Sequence, residues 1–120
     1  MKTQTIAQLR KQADRLVQQV YLSENFTCLA CGSPAQVLHH FIQKKQSNNL
    51  RFDPRNLVPL CVVCHCRHHI AGDPSIVISI LREKGQVWAD DLQRRRKKLV
   101  RFNKTYLNEV IARLKLKGEL

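Results

Sequence analysis

The sequence carries two Cys-x2-Cys pairs, Cys28/Cys31 followed by Gly32 and Cys61/Cys64, with 29 residues between them. No other feature limits the fold as strongly. A tight turn aims both sulfurs of a pair at one point, and two such knuckles supply four thiolates to a tetrahedral Zn²⁺ at about 2.3 Å each. A redox dithiol is the competing reading, but it calls for one pair beside a βαβ pattern, which the sequence lacks. Buried structural cysteines are the plainer alternative. Zinc is favoured because a chain of 120 residues, 43% hydrophobic, builds only a small core, and metal binding adds directly to folding free energy. Cys66 falls outside the paired spacing and reads as a small packed residue. Five cysteines cannot all pair within one chain, and Met1–Gln12 contains no apolar run that could form a signal-peptide core. Both points predict a reducing, cytoplasmic setting.

The formal charge is +12, from 21 basic and 9 acidic residues. A zinc tetrathiolate lowers it to about +10. Such a charge predicts a polyanionic partner, with nucleic acid first and an anionic membrane surface second. The longest apolar run, Leu57 to Cys64, has eight residues and includes Pro59. It is too short to span a bilayer, and no basic helix carries an evident Trp/Phe/Leu face for a membrane surface. The partner is therefore read as DNA, with no membrane.

The basic residues gather in three places: Arg10 and Lys11 with Arg15, Arg51 with Arg55, and Arg94 to Lys104. Arg51 and Arg55 flank the turn before Asn56 and read either as phosphate contacts or as plain surface charge. Arg94, Arg95, Arg96, Lys97 and Lys98 could be a solvated helix face. Five cations in a row without an acid favour a surface that contacts a nucleic-acid backbone.

Periodicity predicts an α+β fold, mostly helical, in one domain over residues 1–120. An N-terminal helix occupies residues 1–25, with Ile6, Leu9, Ala13, Leu16, Val17 and Val20 on one face of the stretch Thr5–Tyr21. A zinc-stapled core occupies residues 26–72. In it, Val37–Ile42 and Leu57–Leu60 read as strands, Gln43–Asn49 as a loop, Asp53–Asn56 as a turn and His65–Ile70 as a short helix. Basic helices fill residues 73–120. The first starts at Asp73-Pro74, stops at Gly85, and is expected to be well buried because Val77 and Ile78 widen its apolar face. The last covers Lys104–Lys117.

All five histidines lie inside or just beyond the cysteine frame: His39, His40, His65, His68 and His69. A structural zinc accounts for none of them. Phosphodiester hydrolysis needs a base to activate water and a cation to stabilise developing charge. Neutral imidazole suits the first role near pH 7 and can ligate a metal for the second. His65 and His69, four residues apart, share one face of a helix.

The order Cys-x2-Cys, His-His, Asn-Leu-x2-Leu-Cys-x2-Cys-His resembles the zinc-stapled HNH endonucleases over about residues 28–69. The resemblance implies a ββα-metal core with a four-cysteine structural zinc. It implies His40 as general base, Asn56 as the residue that positions the active-site loop, and His39 and His65 as ligands of a catalytic divalent ion. His69 fits either as a further ligand or as a solvated helix end or phosphate contact. His68 is read as one of the latter two. Mg²⁺ or Mn²⁺ is the implied working ion, and an all-histidine site also suits Zn²⁺ or Ni²⁺. The wider order of basic helix, knuckle core and basic helical tail resembles phage recombination nucleases of the NinG/Rap type, which act on branched DNA. The expected function is a metal-dependent DNA endonuclease of structure-selective or weakly sequence-selective type. The alternative is a non-catalytic zinc-stapled DNA-binding protein or an accessory subunit of a DNA-processing complex. A homodimer would serve paired cuts, and core packing explains the apolar faces of the terminal helices equally well. One geometric difficulty stands: adjacent residues in a regular strand face opposite sides, so His39 and His40 cannot simply share one site.

Overall fold

The computed structural model describes residues 3–24 and 27–119. The boundary expected between residues 25 and 26 lies outside them. Five helices and two strands follow in the order α1 (Ile6–Leu22), β1 (Val37–His40), β2 (Leu57–Leu60), α2 (Val62–His69), α3 (Pro74–Lys84), α4 (Gln86–Arg95) and α5 (Lys104–Gly118). The molecule is mostly helical with one small antiparallel sheet. No helix among the described residues is long and apolar enough to cross a membrane.

The terminal helices form one layer. Leu9, Ala13 and Val17 of α1 meet Leu107, Val110, Ile111 and Leu114 of α5, and all are buried. Thr5 starts α1 with a capping box closed by Gln8, and Asn103 caps α5 by accepting from the Tyr106 N–H. Ile6, in the first turn of α1, stays 42% exposed.

The sheet separates this layer from the cysteine region. The register pairs Val37 with Leu60, Leu38 with Pro59, His39 with Val58 and His40 with Leu57. Strand alternation therefore puts Leu38, His40 and Leu57 toward the terminal helices, and Val37, His39, Val58 and Leu60 toward α2 and α3. Pro59 is tolerated for a specific reason. The N–H and C=O of Leu38 are both taken by Gln18 of α1, at 2.9 and 3.0 Å. The Leu38–Pro59 pair is thus a non-hydrogen-bonded one, and the missing proline N–H deprives the ladder of nothing.

β1 ends at His40, two residues short of the expected strand. Asn56 takes over the backbone beyond it: its Oδ1 accepts from the Ile42 N–H at 2.7 Å and its Nδ2 donates to the Ile42 carbonyl at 2.9 Å. The loop 43–49 contains one short 3₁₀ turn, Lys44–Gln46. A second, Pro54–Asn56, is capped by Asp53, which accepts from the Arg55 N–H. α2 begins earlier than expected, since the Cys61 sulfur accepts from the Cys64 N–H and caps it.

α3 starts and stops where Asp73, Pro74 and Gly85 indicate. It is less buried than its composition suggests. Ile76 and Ile80, four residues apart, form one buried stripe, whereas Ile78 is 53% exposed and Val77 half-buried. The helix packs through a single face, and residues one and two positions away from the stripe point off it. Trp88 of α4 packs on Phe41 and donates its indole N–H to the Arg55 carbonyl. This ties α4 to the turn that carries Asn56.

Candidate functional site

The four paired cysteines converge. Their sulfurs lie within 4.8 Å of one another, and the Cys31–Cys61 separation is 3.7 Å. A tetrahedral zinc with Zn–S bonds of about 2.3 Å needs sulfurs about 3.8 Å apart, so the four thiols form a cluster into which an ion such as zinc fits. The first knuckle is built by Gly32. Its φ of +79° is left-handed, a region in which a side chain is strained. Its N–H donates to the Cys28 carbonyl at 2.8 Å, folding Cys31 back toward Cys28. The second knuckle is the first turn of α2. Hydrogen bonds donated by the Ser33 side chain and backbone, and then by Cys61, bring the Cys31 thiol down to about 6, and burial raises that of Cys64. Cys66 is exposed, which corrects its reading as a packed residue. α2 turns Cys64 to the sulfur cluster and its histidines to β1, leaving Cys66 on the solvent side.

The histidines form a second cluster. The ligand nitrogens of His39, His68 and His69 lie within 4.8 Å of one another. His65 stands beside them, its ring centroid 5.5 Å from His39 and 4.4 Å from His69. The structure thus adds His68 to the group. A signal for it was present: His65, His68 and His69 fall at i, i+3 and i+4, which is one helix face. His39 is 4% exposed and reaches this face from β1. Burial and then the three neighbouring imidazoles push its pKa down to about 3. Burial and the same crowding lower His65 and His68. His39, His65 and His68 thus favour the neutral ring, whose lone pair can take a metal cation in place of a proton.

His40 points to the other side of the strand, toward α1. Its Nε2 lies 2.8 Å from the Arg51 carbonyl oxygen. Burial, the largest influence, keeps its pKa below the usual value, with the carbonyl acting in the opposite sense and Lys44 reinforcing the decrease. The difficulty of adjacent histidines is resolved locally. His40 is the last residue of β1, and both His39 and His40 line one cleft of about 540 Å³, together with His65, His69, Lys44 and Lys45. The two lysines had no signal in the sequence, since nothing in a polar loop tells which way it folds. A larger groove of about 690 Å³ lies between Tyr21, Tyr106 and Arg113 and holds no histidine.

Asn56 is fully buried. Beyond its two bonds to Ile42, it donates to the Leu50 carbonyl at 3.3 Å. It touches no histidine through these bonds and acts by holding the loop after β1.

The expected phosphate contacts fare differently from one another. Arg51 is clamped by two hydrogen bonds to Asp14, at 2.9 and 2.6 Å, and its side chain is 16% exposed. Arg55 is paired with Asp53 at 2.6 Å. Arg94 and Arg95 both bind Asp91, an acid one turn upstream of the run. Arg96, Lys97 and Lys98 are exposed. The chain matches no protein-family model, no curated protein and no solved structure.

Proposed function

We propose that this chain is a metal-dependent endonuclease that hydrolyses phosphodiester bonds in DNA, with His40 as general base. The observation that carries this reading is one cleft holding two kinds of imidazole: a His39/His68/His69 cluster with His65 alongside, and His40 with a defined tautomer. A carbonyl oxygen only accepts, so the proton of neutral His40 sits on Nε2 and Nδ1 carries the free lone pair. The resemblance of the Cys, His-His, Asn, Cys-His order to the HNH endonucleases points the same way. A non-catalytic zinc-stapled binding module has no need of the histidines His39, His40, His65 and His69.

The donor set suits a divalent ion. His39, His68 and His69, with His65 in reserve, would hold it, and a bound ion would supply charge stabilisation to the phosphate and leaving oxygen. Imidazole donors without a carboxylate favour Mn²⁺, Ni²⁺ or Zn²⁺ over Mg²⁺. His40 Nδ1 accepts a proton from the attacking water. The new P–O bond forms in line with the 3′ oxygen as the P–O3′ bond breaks, leaving a 5′ phosphate. Arg51, through its carbonyl, orients the base, and the four cysteines would carry a structural zinc that fixes α2 against the sheet.

The test is nicking of supercoiled plasmid by zinc-loaded protein with Mn²⁺, Mg²⁺ or no added divalent ion, beside His40→Ala. Metal-dependent nicking that disappears in His40→Ala, with DNA binding retained, is the expected result. DNA binding without cleavage under any metal, on plasmid and on branched substrates alike, would overturn it in favour of a binding protein.

A further inference from the structure

We propose that a nucleic-acid backbone leaves the histidine cleft along a defined cationic track. The track passes Lys44 and Lys45, crosses the Lys44–Gln46 turn, and continues between that turn and Arg96 and Lys98. Its direction rests on the nuclease reading above, while its contacts can be measured without cleavage.

Three observations define the track. Lys45 borders two cavities at once: the histidine cleft, and an adjoining groove of about 210 Å³ whose far wall carries Arg96 and Lys98. The two cavities therefore share an edge, and that edge is a cation. Next, the charges along it are uncompensated. Among the described residues, no carboxylate lies within ion-pair distance of Lys44, Lys45, Arg96 or Lys98, and neither cavity is lined by an acid. Five other arginines are paired with acids: Arg51 with Asp14, Arg55 with Asp53, Arg67 with Asp73, and Arg94 and Arg95 with Asp91. The basic run thus divides in two, and only its second half faces solvent with free charge.

Finally, the groove is built from fixed pieces. Asn49 donates its amide to the Arg95 carbonyl and Asn48 donates to the Val100 carbonyl, each at 2.9 Å. These bonds fasten both ends of segment 95–100 to the end of the loop 43–49, the loop that carries Lys44 and Lys45. The Ser47 hydroxyl, accepting from the Leu50 N–H, closes the turn 47–50 that carries Asn48 and Asn49. Preorganised cations at intervals along a concave wall match a chain of phosphates. A lipid surface calls instead for a broad apolar face beside the charge, and this groove offers only Leu99 and the half-buried Val100.

The test measures anisotropy of a fluorescein-labelled DNA duplex in the His40→Ala background, which blocks cleavage without a chelator that would also strip zinc. Each phosphate contact contributes about 0.9 to the slope of log K against log salt. Lys45→Ala/Lys98→Ala is expected to weaken binding about tenfold and to lower that slope by about 2. Arg113→Ala/Lys115→Ala on α5 removes the same formal charge from outside the track and is expected to leave the slope unchanged. Equal losses from the two pairs would show a diffuse field and overturn the track. So would an unchanged slope in Lys45→Ala/Lys98→Ala, or a loss confined to phosphatidylserine vesicles. Plasmid nicking by wild-type protein is scored separately, so failure of the nuclease reading and failure of the track give different results.

Discussion

The Nε2 atom of His40 lies 2.8 Å from the carbonyl oxygen of Arg51, and the guanidinium of Arg51 is itself held by both carboxylate oxygens of Asp14. A residue of α1 thereby anchors the residue whose carbonyl fixes which nitrogen of a β1 histidine carries the proton. The Asp14–Arg51 pair is bidentate and largely sheltered, the geometry in which an ion pair orients its partner well. If this arrangement serves catalysis, His40→Ala lowers the plasmid-nicking rate at least about a hundredfold with Ni²⁺ affinity unchanged. Asp14→Ala lowers the rate by a smaller factor, again without loss of Ni²⁺ binding. A calorimetric titration of Ni²⁺ into zinc-loaded protein, run beside the nicking assay, separates the two effects.

Zinc is expected at one ion per chain, bound by the four cysteines. Structural zinc sites contribute on the order of 10 kcal/mol or more to folding. Cys64→Ser should therefore yield chain without a cooperative thermal transition. His39→Ala should retain full zinc content by elemental analysis. Equal zinc loss in both variants would place the ion at the histidines instead.

Asn56→Ala removes one acceptor and two donors from a site with no access to water. Each unsatisfied buried group costs about 1–3 kcal/mol, so a loss of about 3–5 kcal/mol in denaturant unfolding is expected. Asn56→Asp keeps the acceptor for Ile42 but turns a buried carboxylate oxygen on the Ile42 and Leu50 carbonyls, so it should destabilise at least as much. A loss below about 1 kcal/mol in Asn56→Ala would mean that the loop after β1 does not depend on this amide.

Asp53 gives a pH dependence of definite sign. Burial pushes its carboxyl up, but the hydrogen bonds and charge of Arg55 outweigh it, and the folded-state value lies below the ordinary one. The unfolded chain therefore binds the proton first as pH falls. The stabilisation is full above the unfolded value of about 3.9 and fades as pH drops through the folded value. Arg55 is half-exposed, so the effect amounts to about 1 kcal/mol or less. Asp53→Asn keeps an oxygen to cap the turn at Arg55 and loses the charge. The difference in Tm between wild type and Asp53→Asn should be constant well above the unfolded value and shrink as pH falls through the folded value. A difference that persists in acid would assign the effect to the cap alone.

Spacing and composition were enough for the parts of the fold that depend on local chemistry. Two Cys-x2-Cys pairs specify a shared sulfur cluster because each knuckle is a local turn, although the helix start at Val62, which forms the second knuckle, came three residues before the one expected. The limits of α1, α3 and α5 followed from capping residues, Gly85 and helical periodicity. The neighbourhood of His39 with α2 was legible in outline from histidines spaced along a short helix. What needed the tertiary structure was everything set by the packing of distant segments. Asp14 finds Arg51 only because α1 lies against the loop after β1, and this pairs a cation that the sequence shows without a partner. Ile78 is exposed because α3 packs by one face, and Cys66 because α2 divides its other faces between sulfur cluster and strand. Lys44 and Lys45 border the histidine cleft because Asn48, Asn49 and Asn56 fold a featureless polar loop back on the core. Side-chain amides that reach 14 to 52 residues along the chain leave no periodic trace, so this chain's helices and cysteine knuckles can be read in sequence and the walls of its cleft cannot.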